Sequence, residues 1–254
     1  MRIRIGSIWI DVLTLPGALE AIDALASRDG GAVFTPNVDH IVTADSNPAL
    51  REAYASADLA LADGQWVVWA SRLLGTPLPE KISGSDLILP LARMAAARKR
   101  SMYLLGGAPG AAEVAAARLE RETSVRVCGF DAPRIDLSAP DDPVVQRIAA
   151  AKPAIVLVAL GAPKQEIWIH RHLDRLRPAV LLGVGATLDF LAGRVRRATP
   201  WISAAGLEWG FRLALEPRRL ARRYLVNDPR FAILVARTLR IPKNERTLSR
   251  TVTL

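Results

Sequence analysis

The sequence predicts an α/β fold in which a mostly parallel sheet is covered by helices on both faces. Six short, strongly apolar segments recur up to residue 184, and helical stretches separate most of them. Strands this apolar are typical of parallel sheets that are buried on both sides. Polar or glycine-rich residues follow five of the segments, as expected at the ligand-binding edge of such a sheet. Beyond residue 193 the alternation stops and arginine becomes frequent, which predicts a basic helical C-terminal appendage.

The hydropathy pattern predicts the elements in order. Apolar residues alternate on either side of Gly6-Ser7, which indicates a short hairpin, and residues 16–27 are typical of an amphipathic helix. The predicted strands of the sheet are 32–35, 58–62, 101–105, 125–129, 154–160 and 179–184. The predicted helices between them include 86–97, 111–122, 142–151 and 163–173. We therefore expect a core domain of residues 1–193 and an appendage of residues 194–254.

Composition limits the class of protein. Half of the residues are hydrophobic and 23% are charged, which is typical of a folded globular chain. The single cysteine excludes a disulfide framework within the chain and suits a reducing compartment. We expect neither a signal peptide nor a membrane-spanning helix. The first residues lack an apolar core, and the longest apolar run, 154–163, is well short of the roughly 20 residues that a bilayer requires.

Positive charge is concentrated in the appendage. The formal net charge is +9, yet residues 194–254 carry fourteen basic and four acidic residues, whereas residues 1–193 sum to −1. A basic tail suits nucleic acid, an anionic membrane surface or a phosphorylated ligand. The neutral body, the lack of a recognition motif and the few aromatic residues argue against nucleic acid. Residues 216–225 predict a basic amphipathic helix, suited to a membrane surface or simply solvated on the domain.

Polar side chains follow the first two strands of the predicted sheet. Thr35 and Asn37 come after the first strand, and Asp63 comes after the second. A carboxylate beside a pocket can serve as a general base. Each of the three could instead cap a helix, and Asp63 would then cap a helix that begins at Gln65. For the neighbouring His40 we favour a structural role.

Glycine-rich loops follow the later strands. Gly106 and Gly107 open a loop that ends at a helix, where backbone N–H groups could hold a diphosphate or form only a tight turn. The loop at Gly161 continues into a predicted exposed first turn with three different polar heads, Lys164, Gln165 and Glu166. This turn suits a polyhydroxylated or phosphorylated ligand, or it is a solvated helix start. The last loop runs from Gly185 to Asp189.

The motifs exclude two other kinds of site. The chain has no H-E-x-x-H, no cysteine pair and no Asp-x-Asp, so we expect no metal site. A nicotinamide-dependent oxidoreductase would suit the sheet, but the G-x-G-x-x-G fingerprint and its ribose-binding acid are missing. We therefore expect no cofactor, and any bound diphosphate must be met by arginine, lysine, backbone amides or helix ends.

Together these segments resemble the WecG/TagA/CpsF family of glycosyltransferases, family 26, from about residue 5 to residue 231. Eight of the family's segments occur in order: TPNVDH from Thr35, ADGQWVVWAS from Ala62, the glycine turn from Gly106, GAPKQEIW from Gly161, GVGATLDFLAG from Gly183, RRATPW from Arg196, GLEWGFRL from Gly206 and EPRRLARRYL from Glu216. Each is weak alone, but eight in the right order are specific. The region after Phe231 does not follow the family pattern, and we expect it to be further membrane-binding surface or disordered.

The resemblance implies a Rossmann-like fold and an inverting, metal-independent transferase. Such enzymes move a hexose-type sugar from a UDP donor to a sugar on a polyprenyl diphosphate, in the synthesis of exopolysaccharide and other cell-envelope polysaccharides. The sugar stays open between N-acetylmannosamine, its uronic acid, glucose and glucuronic acid, and a homo-oligomer stays open too. We expect a cytoplasmic enzyme, peripheral on the inner face of the cell membrane, where the anionic surface meets the appendage.

The resemblance also assigns roles to residues. Asp63 matches the proposed general base, with Thr35 and Gln165 beside it. Arginines of the appendage are expected to reach the donor diphosphate. The remaining candidates for substrate binding are Asn37, Gly106, Gly107, Gly161, Lys164, Glu166, Gly185, Asp189, Arg212, Arg219 and Arg222.

Overall fold

A six-stranded sheet in which every neighbouring pair of strands is parallel forms the centre of the protein. The structure, a computed structural model, describes residues 1–138, 143–195, Gly210 and 229–249. All six strands predicted for the sheet are present in it, and helices cover both faces. The predicted α/β fold is confirmed.

The elements have the following bounds. The strands are β1 (Arg2–Ile5), β2 (Ile8–Asp11), β3 (Gly31–Phe34), β4 (Leu59–Ala60), β5 (Ser101–Gly106), β6 (Arg126–Asp131), β7 (Ile155–Ala159), β8 (Val180–Gly183) and β9 (Thr247–Leu248). The helices are α1 (Leu15–Ala26), α2 (Val38–Ser46), α3 (Pro48–Ala55), α4 (Gln65–Leu73), α5 (Gly84–Ala97), α6 (Ala111–Thr123), α7 (Pro143–Ala151), α8 (Lys164–Leu176), α9 (Thr187–Leu191) and α10 (Pro229–Leu239). A 3-10 turn, Lys243–Glu245, precedes β9.

The strand order brings the functional loops together. Along the sheet the strands run β4-β3-β8-β7-β5-β6, so the first five are neighbours although they come from distant parts of the chain. Because all are parallel, the loops that follow them leave from one edge. Ligands of open parallel sheets bind at this edge.

Alternating side chains divide the core into two layers. In β7, Val156 and Val158 belong to one layer, whereas Ile155 and Leu157 belong to the other, as the two-residue period of a strand requires. Residues of α2, α3, α8 and α10 fill the first layer, and residues of α1, α5, α6 and α9 fill the second. The sheet is therefore buried on both faces, which explains why its strands are almost wholly apolar.

The predicted N-terminal hairpin is confirmed, and it gains a third strand. Ile5 pairs with Ile8 across the turn at Gly6-Ser7. On the other side of β1, Arg2 pairs with Leu248 and Ile3 with Thr247, so the hairpin receives β9 as an antiparallel neighbour.

The alternative that the region after Phe231 is disordered is wrong for residues 232–249. Helix α10 packs against α2 and β1, and it buries Phe231, Leu234 and Val235 in the first core layer. Thr238 is also buried, and its hydroxyl accepts a hydrogen bond from the N–H of Gly6. This segment is basic on its outside but apolar on one face, and that face belongs to the fold.

The helices in the described part of the chain are shorter than a bilayer span. In that part of the chain no helix is both long and apolar enough to cross a membrane. The longest of them, α5, has 14 residues, whereas a span needs about 20.

Candidate active site

A pocket of about 520 Å³ opens at the carboxyl edge of the sheet. The loops after β3, β4, β5, β7 and β8 form it together with the loop that precedes α5. Eight of the predicted site residues line this pocket: Thr35, Asn37, Asp63, Gly107, Gly161, Gln165, Gly185 and Asp189. The prediction that five separate loops meet at one place is confirmed.

Thr35 and Asn37 both follow β3, but their side chains have different roles. The hydroxyl of Thr35 donates to the carbonyl of Gly183 at the end of neighbouring β8, with an O–O distance of 3.2 Å. Its lone pairs remain able to accept from a ligand. The side chain of Asn37 caps α2 by accepting from the N–H of His40. His40 itself is buried and lines the pocket, although the sequence favoured a purely structural role for it.

Asp63 is held at the pocket wall by its backbone. Its N–H donates to the carbonyl of Pro36 (2.9 Å), which ties the loop after β4 to the loop after β3. The cap position of α4 is occupied by Gly64, which has no side chain to cap the helix, and not by Asp63. Gly64 has φ of 99°, a backbone conformation that favours glycine. The turn therefore leaves the half-buried carboxylate on the pocket wall.

The first turn of α8 is not exposed, which corrects a prediction. Gln165 is 1% exposed and lines the pocket, whereas Glu166 is fully buried and does not line it. Lys164 turns away and donates from Nζ to the carbonyl of Ile135 (2.9 Å). Successive side chains of a helix point about 100° apart. Lys164, Gln165 and Glu166 therefore lie in three different environments.

The glycine turn after β5 is partly structural. A Cβ at Gly106 would lie 2.5 Å from the carbonyl oxygen of Ala159, so only glycine allows the two strands to approach this closely. Gly107 lines the pocket, but Gly106 does not. The N–H of Ala108 is bound by the Asp189 carboxylate (2.9 Å), so this donor is already satisfied.

Sequence reasoning missed the loop that precedes α5. Ser83, Gly84 and Ser85 line the pocket, and Ser83 forms a capping box with Asp86. The signal was present, because Ser-x-x-Asp before an apolar run is typical of a capped helix start. This loop follows a helix and not a strand, so the rule that ligands bind at strand ends did not predict it.

The part of the pocket wall that the structure describes is acidic. Three carboxylates, those of Asp39, Asp63 and Asp189, line it, and within the described ranges no arginine or lysine does. The three appendage arginines assigned by the resemblance lie outside the described residues: Arg212, Arg219 and Arg222. Among the residues that the structure describes, no three metal-binding side chains cluster.

A buried network of ionisable groups lies behind the pocket. His40 Nδ1 is 2.7 Å from the Tyr54 hydroxyl and 3.8 Å from Glu166 Oε1. Burial raises the pKa of Glu166 to about 7, although a hydrogen bond from Gln165 opposes this shift. Burial, and then the charge of Glu166, raise the pKa of Tyr54 well above its usual value. Tyr54 therefore keeps its proton at neutral pH.

The chain is similar in sequence to glycosyltransferases. The model of the glycosyl transferase WecG/TagA/CpsF family matches residues 3–245. An N-acetylglucosaminyldiphosphoundecaprenol N-acetyl-beta-D-mannosaminyltransferase of Bacillus spizizenii is 32% identical over 83% of this chain and 80% of its own. The proteins of the same name from Bacillus subtilis and Staphylococcus aureus are 30% and 31% identical, over 86% and 82% of this chain and 82% and 80% of their own.

The family match spans the whole central sheet, the loops that form the pocket, and α10. It therefore covers every element that positions Thr35, Asp63 and Gln165. The chain belongs to the WecG/TagA/CpsF family and is a glycosyltransferase.

Proposed function

We propose that this glycosyltransferase moves an N-acetylmannosamine-type sugar from a UDP donor to a sugar carried on a polyprenyl diphosphate. One observation carries the proposal: Asp63, Thr35 and Gln165, from three distant segments, line the same pocket. Support for the substrates comes from the names of the Bacillus and Staphylococcus relatives, which are N-acetylmannosaminyltransferases acting on N-acetylglucosaminyldiphosphoundecaprenol.

In the proposed reaction Asp63 is the general base. The acceptor hydroxyl attacks the anomeric carbon of the donor sugar, and the Asp63 carboxylate takes the hydroxyl proton. The bond between the anomeric carbon and the phosphate oxygen breaks, and UDP departs with the electron pair. A single displacement of this kind inverts the anomeric configuration. Thr35 and Gln165 supply a hydroxyl and an amide that hydrogen-bond the reacting sugars.

The departing UDP needs positive charge that the described part of the pocket lacks. Its wall there presents carboxylates and no arginine or lysine. We therefore assign the diphosphate to Arg212, Arg219 and Arg222 of the appendage, acting without a metal ion. Fixed guanidinium groups form short, often bidentate hydrogen bonds with phosphate oxygens and stabilise the charge that develops in the transition state.

The acidic side chains in the described part of the wall favour a neutral donor sugar. A uronic acid in this pocket would bring a fourth carboxylate beside Asp39, Asp63 and Asp189. Like charges at close range in a partly enclosed site are unfavourable. N-acetylmannosamine and glucose avoid this repulsion, and the names of the relatives favour the first.

The appendage is proposed to hold the enzyme on the inner face of the cell membrane. Residues 194–254 carry a formal charge of +10, and each basic residue near an anionic surface contributes about 1 kcal/mol. A lipid-linked acceptor resides at that surface. Membrane attachment would therefore bring the pocket to its substrate.

A donor screen tests the proposal. The purified protein would be given UDP-N-acetylmannosamine, its uronic acid, UDP-glucose or UDP-glucuronic acid, with a short-chain lipid-diphosphate N-acetylglucosamine acceptor, and UDP release would be measured. We expect UDP-N-acetylmannosamine to turn over fastest, and each uronic acid to react at least about 10-fold more slowly than its neutral counterpart. Faster turnover of a uronic acid would overturn the choice of sugar, and acceptor-dependent release from none of the four would overturn the reaction.

A further inference from the structure

We propose that Glu166 is a positioning residue whose buried carboxyl fixes which end of the Gln165 side-chain amide faces the reacting sugars. The inference rests on the proposed function of Gln165 and assigns a task to its neighbour. Glu166 lies in the sequence beside a pocket residue, yet it is fully buried and does not line the pocket. Its action on substrate must therefore pass through another side chain.

Two hydrogen bonds set the orientation of the Gln165 amide. Its oxygen accepts from the N–H of Gly185 (3.0 Å), and its nitrogen donates to Glu166 Oε1 (2.7 Å). If the amide were flipped, its NH₂ group would face the Gly185 donor and its oxygen would face the Glu166 acceptor. With Glu166 ionised, both contacts would then be repulsive, and with Glu166 protonated the contact with Gly185 still would be. Glu166 and Gly185 therefore specify one of two orientations that have nearly the same shape.

The amide is also fitted closely to the end of β8. A Cβ at Gly183 would lie 3.1 Å from Gln165 Nε2, so the bare backbone makes room for the amide. The carbonyl of the same Gly183 accepts from Thr35. Gln165 and Thr35 therefore both lie at the end of the same strand. The Gln165 NH₂ group donates one hydrogen to Glu166, and its second hydrogen can be donated to a ligand.

The observed orientation of the Gln165 amide suits either protonation state of Glu166, because the N–H of Gly185 always requires the amide oxygen. Oε1 can accept from Gln165 whether or not the carboxyl carries a proton on the other oxygen. Oε2 is buried and has no hydrogen-bond partner among the described residues. The negative charge of Asp39 helps to raise the pKa of this carboxyl. The charges of Glu166 and Asp63 likewise raise the pKa of the Tyr54 hydroxyl. That hydroxyl is hydrogen-bonded to His40. An apolar residue would avoid the cost of burying an acid here, but it could not orient the amide.

Two substitutions separate orientation from charge. Glu166→Gln keeps an oxygen that can accept from Gln165, and Glu166→Leu removes it. We expect Glu166→Leu to lower kcat about 10- to 100-fold and Glu166→Gln to restore kcat to within about 3-fold of wild type. If Glu166→Gln were as slow as Glu166→Leu, orientation of the amide would not be the function of this residue.

A double-mutant cycle tests the route through Gln165. In a Gln165→Ala background the side-chain amide is absent, so Glu166→Leu should lower kcat by less than about 2-fold more. If the two losses multiplied instead, Glu166 would act independently of Gln165, and the proposal would be wrong. Leu173→Ala is the matched control, because Leu173 is buried on the same helix. It should lower thermal stability while kcat is maintained.

A second measurement does not depend on turnover. The side-chain amide signal of Gln165 in ¹⁵N-labelled protein is identified by its loss in Gln165→Ala. Its hydrogen exchange with water should be slow in wild type and Glu166→Gln and faster in Glu166→Leu. Unchanged exchange in Glu166→Leu would overturn the positioning role. If wild type failed to transfer any sugar, the proposed function would fall, whereas the exchange comparison would still decide whether Glu166 orients the amide.

Discussion

At the scale of single residues, Asp63 is the side chain on which the proposed chemistry depends. Asp63→Asn should lower kcat by about 10²–10⁴-fold, because the amide has nearly the same shape but cannot take the acceptor proton. UDP binding, measured by calorimetry, should be maintained. Asp39→Asn is the matched control, since it removes a charge from the same pocket wall, and its loss should be much smaller. Near-normal turnover of Asp63→Asn at saturating acceptor would require another base.

The Glu166 carboxyl should also give the protein a pH-dependent stability. Burial raises its pKa from 4.5 to about 7, so the folded state holds a proton that the unfolded state has released. The free energy of unfolding should therefore fall as the pH rises from about 4.5 to about 7 and lose no more above that range. The difference amounts to roughly 3 kcal/mol for this one group. Thermal melts of Glu166→Gln across this range should show a shallower pH dependence than those of wild type, and equal slopes would contradict the assignment.

At the scale of elements, α10 is a structural part of the core. Leu234→Ala should lower the free energy of unfolding by about 2–5 kcal/mol, because it leaves a cavity where α10 packs on α2 and β1. The preceding residue supplies the control: Ile233 is 55% exposed, and Ile233→Ala should change stability by no more than about 0.5 kcal/mol. Chemical denaturation measures both. Equal effects of the two substitutions would argue against this packing.

The basic segment at 216–225, outside the described residues, carries two proposed roles that matched substitutions can separate. Removing everything from residue 216 onward would also remove α10 and β9, so pairs of arginines are the better test. Arg219→Ala with Arg222→Ala and Arg218→Ala with Arg223→Ala remove the same charge. Both pairs should weaken binding to anionic vesicles, by about 1 kcal/mol for each arginine. Turnover on a soluble short-chain acceptor should fall only in the first pair, and equal turnover in both would exclude a diphosphate contact by Arg219 and Arg222.

At the scale of the whole molecule, the reaction is expected to need no metal ion. The motivation is the sequence, which contains no Asp-x-Asp pair to hold a cation on a diphosphate. Turnover measured in excess EDTA should equal turnover in added Mg²⁺ or Mn²⁺. Loss of activity in EDTA that either metal restored would overturn the expectation.

Some features of the fold and of the site could be predicted from the sequence, and others could not, for physical reasons. The hairpin, the six parallel strands and the meeting of five loops followed from local periodicity and from the geometry of parallel sheets. The burial of Glu166 did not, since a charged residue in a first helical turn is ordinarily solvated. The pairing of β9 with β1 could not be predicted either, because Thr247 and Leu248 find their partners at the opposite end of the sequence. Residue patterns report local structure and carry little information about such distant contacts.

That pairing has a consequence for how the protein is made. During synthesis β1 and β2 emerge from the ribosome long before β9, so the second edge of β1 can pair only when residues near 248 have emerged. Until then the nascent chain presents an open strand edge, and the apolar surface that α10 later covers lies bare. Unpaired edges and exposed apolar surface are what make folding intermediates prone to aggregate. Chains that stop short of residue 229 should therefore accumulate as aggregates, even though the central sheet is already complete in them.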